Sequence, residues 1–410
     1  VTRYRLQPTP AQEAGLLAHC GHARFVWNLA VEQQAHWRPG HRSAPGFVEQ
    51  CRQLTEARAE FAWLRAGSQT VQQQALKDFA QAMANFFGGT HRRPTWRKSG
   101  RHEGFRIVGR RGRAWDVRRL SRRVGEVKIP KVGWVRFRWS RPVPDDVKWF
   151  RVTRDRAGRW HVSFAVIPEP VSAPGNGLMV GVDRGVAVSA ALSTGDLLHA
   201  PGFTGPEAER LLRLQRKLAR AEKGSNRRAR LKVAIGRLKA READRRKDWL
   251  EKTTTSLACH FDGIAVEDLN VRGMTRSARG TLDAPGVNVR QKAGLNRAIL
   301  ASGWGRIVTR LEHKAPGRLF KIDPRYTSHT CHACGHCTPD NRESQAEFRC
   351  VACGHQANAD VNAARNIRDT AISNIAARDT AVGRTVAARE AFQPAGGAVN
   401  REPQPDLLST

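Results

Sequence analysis

The chain has 410 residues, with 70 Lys and Arg against 37 Asp and Glu, so its formal charge is +33, and 40% of its residues are hydrophobic. That hydrophobic share excludes a disordered basic tail, and at roughly 150 residues per domain the length allows two to four domains. A positive surplus of this size points to a polyanionic partner, with nucleic acid first, because net charge bears on partners and not on fold. No stretch approaches the roughly 18 apolar residues of a membrane span, and the opening VTRYRLQPTP lacks the apolar core of a signal peptide. An intracellular, cytoplasmic protein with no membrane partner is expected.

Residues 2–7 read as a short strand, followed by helices over Pro10 to about Cys20, roughly 22–37, and Ser68 to Phe87. The third has Ser68 as N-cap, places Val71, Ala75, Phe79 and Met83 on one face, and stops at Gly88-Gly89. Residues 91–140 then carry 17 basic against 3 acidic side chains, a net of +14. From Phe105 to Val166, short alternating runs broken by Gly and Pro predict an antiparallel sheet or small barrel. Trp96, Trp115, Trp134 and Trp139 are interleaved with its arginines. Such a pattern suits phosphate neutralisation with base stacking, and it equally suits tryptophans in a core covered by arginine stems. Residues 206–252 form two helical segments around KGSNRR, a hairpin or a helix interrupted at Gly224, with a basic outer face. A last helix is expected from Asn296 to Ala315, before Pro316, and residues 391–410 have the composition of a disordered tail.

Eight cysteines are too sparse for a disulfide scaffold, but Cys331, Cys334, Cys350 and Cys353 spell CHAC, fifteen residues, then CVAC. Each CxxC turn offers two thiolates to one tetrahedral zinc ion, and the spacing fits that pattern. His332, His336, His355 and Cys337 lie nearby as alternative donors. A closed four-thiolate shell leaves no open position for substrate, so the zinc is read as structural. Cys20, Cys51, Cys259 and Cys337 are read as ordinary thiols.

Three acids stand out against this basic background. Asp183 sits in the apolar run GLMVGVDRGVAV, Glu267 ends the run Ile264-Ala265-Val266, and Asp360 follows the second knuckle where a helix begins. Singly, each has a plain explanation as a turn residue, an arginine partner and a helix cap. Together they form an oxygen-donor set for divalent cations such as Mg2+, and two such ions about 4 Å apart suit phosphodiester hydrolysis.

The motifs GVDRGV, VEDLNV, the CHAC and CVACGH knuckles, RESQAEFRC and NADVNAARNI together resemble TnpB, the transposon-encoded RNA-guided nuclease, and the compact type V CRISPR effectors. The resemblance is close over roughly 175–370 and weaker at RLQPTPAQEAGLLAHCGHARFVWN and KGSNRRAR. It implies an α+β multidomain chain. A wedge-like β-barrel would span 1–8 and 91–172, with a helical recognition module inserted at 9–90. An RNase H-like (RuvC) α/β domain would span 173–325 and 356–390, including the basic hairpin 206–252, with a zinc ribbon at 326–355.

By the same resemblance, Asp183, Glu267 and Asp360 are the catalytic ligands of two Mg2+ ions and the four cysteines bind structural Zn2+. The implied activity is guide-RNA-directed cutting of double-stranded DNA beside a short flanking motif, the guide being a transposon-end RNA or a CRISPR RNA. A guided DNA-binding repressor without cleavage and a transposon accessory protein are the alternatives. Gln69, Gln73, Lys77, Arg92, Arg93, Arg227 and Arg228 are the expected nucleic-acid contacts. Gln69 and Gln73, one turn apart, suit adenine in the flanking motif, while the run Gln72 to Gln74 also fits a merely polar helix face. Tyr326, one of two tyrosines, is expected to pack against the zinc ribbon.

Overall fold

A computed structural model describes residues 2–36 and 44–391, with side chains through 378; the expected tail beyond Ala391 lies outside the described residues. The chain divides into two compact units. One comprises the chain up to Glu169 with Gly202–Arg245, the other Pro170–Pro201 and the chain from Arg246 onward.

The first unit opens with strand β1 (Thr2–Gln7) and helix α1 (Pro10–Ala35). Thr9 caps α1, its hydroxyl accepting from the Gln12 amide while the Gln12 side chain accepts from the Thr9 amide, and Pro10 occupies the first helical turn. The two helices expected on either side of Cys20 are thus one. Leu16, Cys20, Ala23, Trp27 and Ala30 form a continuous buried stripe, and burial of that stripe carries the helix through Gly21. Then come α2 (Phe47–Glu60), α3 (Ala62–Ala66) and α4 (Gln69–Phe87), the last ending at Gly88 with Gly89 in the left-handed region.

Strands β2 (Gly104–Val108), β3 (Asp116–Arg119), β4 (Val124–Ile129), β5 (Gly133–Arg138), β6 (Trp149–Arg154) and β7 (Trp160–Phe164) complete a seven-stranded antiparallel sheet of order β2-β6-β7-β1-β5-β4-β3. The strand β1 joins its halves, pairing through Thr2–Arg5 with β7 and through Leu6–Gln7 with β5. Tyr4, Phe137, Phe150, Phe164 and Trp115 share one core with Trp27, Val71 and Phe79 of the helices. Of the four interleaved tryptophans, Trp115 is core, Trp134 and Trp139 are half-buried, and Trp96 is exposed.

The basic hairpin is α5 (Gly205–Arg220) followed by α6 (Asn226–His260), with Gly224 at φ 92° in the turn between them. Residues 202–245 cluster with the first unit, which differs from the expectation that 206–252 belongs wholly to the C-terminal domain. The physical reason is specific: Arg159 donates to Asp244 at 2.6 Å, and a Cβ on Gly236 would lie 3.1 Å from the Arg156 carbonyl oxygen.

The second unit holds a five-stranded sheet, β10-β9-β8-β11-β12, from β8 (Met179–Asp183), β9 (Ala190–Leu192), β10 (Leu197–Leu198), β11 (Gly263–Glu267) and β12 (Leu319–Ile322). Strands β8, β11 and β12 run parallel, and the inner pair β8 and β11 read as near-continuous apolar runs, as strands covered on both faces do. Between β11 and β12 lie the short α7 (Val271–Met274), then α8 (Val289–Ser302) and α9 (Trp304–Lys314). The single helix expected over Asn296–Ala315 is therefore two, because Gly303 adopts φ 74° and ends the first. A small hairpin, β13 (Glu347–Arg349) with β14 (Gln356–Asn358), leads into α10 (Ala359–Ala391).

The helix α10 lies against β8 at Gly181. A Cβ there would fall onto the Ala364 carbonyl oxygen and within 2.7 Å of the Arg368 amide nitrogen. Gly181→Ala is expected to cost about 3 kcal/mol or more, since two backbones must part. Chemical denaturation of the variant checks this.

Candidate metal centre and nucleic-acid interface

Strands β8 and β11 are parallel neighbours in register, Val182 opposite Val266, so Asp183 and Glu267 end adjacent strands at the same level. Asp360 lies in the first turn of α10, and the seating of α10 on Gly181 brings it to the same edge. A Cβ built on Gly185, just past Asp183, would lie 3.8 Å from Asp360 Oδ2. The structure therefore gathers all three sequence-predicted acids at one end of the sheet.

Their electrostatics are unfavourable by themselves. Burial, with Glu267 and Asp360 beside it, pushes the Asp183 carboxyl up to about 7. Burial raises Glu267 and Asp360 as well. Among the described residues, the four cysteines alone form a group of three or more His, Cys, Asp or Glu with every ligand atom within 4.8 Å of the others. The three carboxylates are thus more widely spread than ligands of one small cation, whose oxygens at about 2.1 Å would lie within roughly 4 Å of one another.

Four further residues hold the acids in place, of which Arg184, Arg342 and Asn366 lie inside the motifs GVDRGV, RESQAEFRC and NADVNAARNI and Thr327 lies outside them. Thr327, buried, donates from Oγ1 to Glu267 Oε1 at 2.7 Å. Buried Arg184 donates to the Glu267 carbonyl and, at 3.4 Å, to the Trp304 carbonyl. Arg342 reaches Asp360 Oδ1 at 3.4 Å. Asn366 of α10 donates to the Thr327 and Thr330 carbonyls at 2.9 and 2.7 Å. If the three acids hold a divalent cation, Thr327→Val, which removes the one side-chain donor to Glu267, is expected to weaken binding of that ion roughly 10- to 100-fold. Calorimetric titration of the chain and the variant with Mg2+ checks this.

The cysteines meet as a compact cluster, with Cys331 Sγ 3.8 Å from Cys353 Sγ and Cys334 Sγ 3.6 Å from Cys350 Sγ. Thiolates about 2.3 Å from a central zinc ion lie about 3.8 Å apart at the corners of a tetrahedron, so the spacing fits that ion. Both knuckles use the same turn. Gly335 and Gly354, left-handed at φ 76° and 71°, donate to the Cys331 and Cys350 carbonyls, and those cysteines' amides donate to His336 and His355 carbonyls. The alternative donors lie outside the cluster: His332 pairs with Asp369 at 2.9 Å and Cys337 bridges Thr330 through its backbone. Tyr326 does not pack away against the ribbon as expected; it is 68% exposed.

In the first unit, Gln69, Lys77, Arg92 and Arg93 are exposed and Gln73 is half-buried. Gln72, fully buried, belongs to the core, where its amide donates to the Leu64 carbonyl and bonds His22 while accepting from Arg58. Arg227 is exposed, whereas Arg228 is spent within the protein, donating to the Leu218 and Ala221 carbonyls that end α5. On β3-β4-β5 the interleaved arginines and tryptophans meet directly, with Arg118 4.3 Å over the Trp134 ring and Glu126 receiving both Arg118 and Arg136. No helix among the described residues is long and apolar enough to cross a membrane.

The chain matches three family models: a Cas12f1-like TNB domain over residues 304–367, a probable transposase of the IS605 OrfB type over 161–278, and a helix-turn-helix domain over 1–42. It is 36% identical over 373 residues to InsQ of Escherichia coli K12, provisionally named an RNA-guided DNA endonuclease, covering 89% of this chain and 90% of that one. A Streptomyces pristinaespiralis protein, also provisionally named an RNA-guided DNA endonuclease, is 30% identical over 411 residues, 98% of this chain and 96% of its own. A cryo-EM structure of a Cas12f1–sgRNA–target DNA complex aligns over 87% of this chain and 82% of that one, at 15% identity and a TM-score of 0.49.

Proposed function

The chain belongs to the TnpB family of IS605 OrfB proteins, and from that membership we propose that it is an RNA-guided DNA endonuclease whose single site cuts double-stranded DNA. The observation that carries the reading is the meeting of Asp183, Glu267 and Asp360 at one edge of a parallel sheet. In this reading the sheet with α10 is an RNase H-like (RuvC) core, the zinc-binding segment is inserted ahead of the third acid, and the N-terminal strands form a wedge barrel carrying the helical recognition module.

Burial raises all three carboxyls and the other two acids raise Asp183 further, which makes them poor company without a cation, and their all-oxygen donor set fits Mg2+. Asp183, Glu267 and Asp360 would hold two such ions, which supply Lewis acidity at the scissile phosphate. The protein's own part is positional. Thr327 occupies one oxygen of Glu267 and leaves the other for a ligand, while Arg342 steadies Asp360 and adds positive charge at the rim. Base pairing to the guide selects the target, and Gln69 and Gln73 on α4 would read adenine in the flanking duplex.

The repressor reading is disfavoured because no acid is missing and all three are brought together. A plasmid cleavage assay with copurified guide RNA, with and without Mg2+, tests the proposal: linear product only with Mg2+ supports it. Binding without any cut at saturating Mg2+ would favour the repressor. A randomised flanking sequence in the same assay reads the motif, and sequencing the copurified RNA distinguishes a transposon-end transcript from a CRISPR RNA.

A further inference from the structure

The two tyrosines of the chain have opposite fates. Tyr4 is 2% exposed, packed edge-on against Phe137 and Phe164, and its hydroxyl donates to the Pro142 carbonyl. Tyr326 is 68% exposed and is one of three non-glycine residues among those described with a positive φ, at 64°. A bulky side chain in the left-handed region is a strained choice, tolerated where the surroundings over-determine it. They do so here. The Tyr326 carbonyl accepts three hydrogen bonds, from the His329 and Thr330 amides, both at 3.0 Å, and from the Thr330 hydroxyl at 2.9 Å.

An Asn or Gly would satisfy that turn at lower cost. The ring is therefore not explained by the backbone, nor by packing, since it contributes no buried surface of consequence.

Its position offers an explanation. The next residue is Thr327, whose hydroxyl holds Glu267, so the ring projects about one residue, ~3.8 Å along the chain, from a group touching the acid site. It lines an open groove of about 630 Å³ of mixed character, with Thr330, Asn366, Thr370 and Asn374 on its walls, Asp369 at one side and exposed Arg325, 3.8 Å from Asp323, at the other. A flat aromatic face on an open groove, with a cation at its edge, is the arrangement of single-strand recognition, in which bases stack on rings and phosphates meet cations.

We propose that Tyr326 is a stacking platform for an unpaired base of the strand being cut, keeping that strand in register with Asp183, Glu267 and Asp360. The inference rests on the nuclease reading above. Tyr326 is a positioning residue here, and its strained backbone is what aims the ring outward into the groove.

The test uses the full chain loaded with its guide RNA. In an Asp183→Asn background that does not cut, binding of a single-stranded DNA oligonucleotide carrying 2-aminopurine is measured for Tyr326, Tyr326→Asn, Tyr326→Phe and Tyr326→Trp. Tyr326→Asn keeps the left-handed turn and removes the ring. It is expected to bind roughly 5- to 30-fold more weakly, the loss of one base–aromatic stack, and to lose the stacking quench of 2-aminopurine. Its melting temperature should be no lower than that of the parent. The Phe and Trp variants should bind and quench like the parent, because they retain an aromatic face.

Equal binding and quenching by Tyr326→Asn would overturn the proposal, as would a Tyr326→Phe defect as large as that of Asn, which would assign the role to the hydroxyl. In parallel, the chain with Asp183 intact is assayed for plasmid cleavage. If it does not cut, the nuclease reading falls and the stacking role falls with it; if it cuts and the Asn variant is unimpaired, the stacking role alone falls.

Discussion

Asp183→Asn is expected to abolish guided cleavage, by about a thousandfold or more, while making the protein more stable in Mg2+-free buffer above neutral pH. The two effects have one cause. Burial and the neighbouring carboxylates raise Asp183 from 3.8 to about 7 on folding, so its ionised form is what the fold disfavours. Below pH 4 the carboxyl is neutral in both states and the fold bears no cost. As pH rises toward 7 the unfolded state releases its proton first and stability drains away, and above about 7 the cost is constant.

A shift of that size corresponds to about 4 kcal/mol at one pKa unit per 1.36 kcal/mol, and partial solvent access at the site brings the expectation to roughly 1–3 kcal/mol. The Asn variant should therefore match the parent at pH 4 and melt higher at pH 8, measured without chelator so that zinc stays bound. Added Mg2+ should raise the melting temperature of the parent and move the variant less, since a ligand stabilises only the state that binds it. A variant that still cuts, or a pH-independent stability difference, would refute the assignment of Asp183.

Cys350→Ser is expected to have the second large effect. Cys350 is buried at the second knuckle, 3.6 Å from Cys334, and its loss leaves three thiolates around a zinc ion worth on the order of 10 kcal/mol to such a segment. The damage should spread along a defined route. Asn362 of α10 accepts from the His332 amide at 3.0 Å and donates to the Thr330 carbonyl at 2.8 Å, and Asn366 holds the Thr327 carbonyl. These amides button the knuckles to the helix that carries Asp360 and to the threonine that holds Glu267. Cleavage should fall at least about a hundredfold, zinc content should fall toward zero, and proteolysis should open the chain near residues 326–358. Cys337→Ser, outside the cluster, should retain zinc and activity.

Much of the centre was legible from residue types alone. Asp183 and Glu267 stood out because a carboxylate at the end of an apolar strand is anomalous, and the cysteines because zinc geometry imposes a spacing. Arg184, Arg342 and Asn366 lie inside the quoted motifs and Thr327 outside them, but residue type alone gave none of the four a role, because their roles depend on which loop and helix come together.

The same limit applies to Gln72. It sits in a glutamine run on an amphipathic helix, and only the neighbours Arg58, His22 and Leu64 turn it into a satisfied core residue. Element boundaries failed for local reasons as well. Gly21 is carried through α1 by its buried stripe, whereas Gly303 takes a left-handed turn and divides a helix, and a bare glycine in a periodic pattern announces neither outcome. Arg228 was chosen for its charge, but the open end of α5 uses it first.

The central place of β1 bears on how the chain comes to be folded. Thr2 pairs with Phe164 and Leu6 with Phe137, so the earliest strand of this sheet waits for the latest before its main chain is satisfied on both sides. Helices α1 and α4, whose bonds are local, can form in the interval, and closure of the sheet is the slow, long-range step. Removing β1 would take out the joint and leave β2-β6-β7 and β5-β4-β3 as two three-stranded pieces with raw edges. A change that strains β1 therefore threatens folding yield before it threatens chemistry.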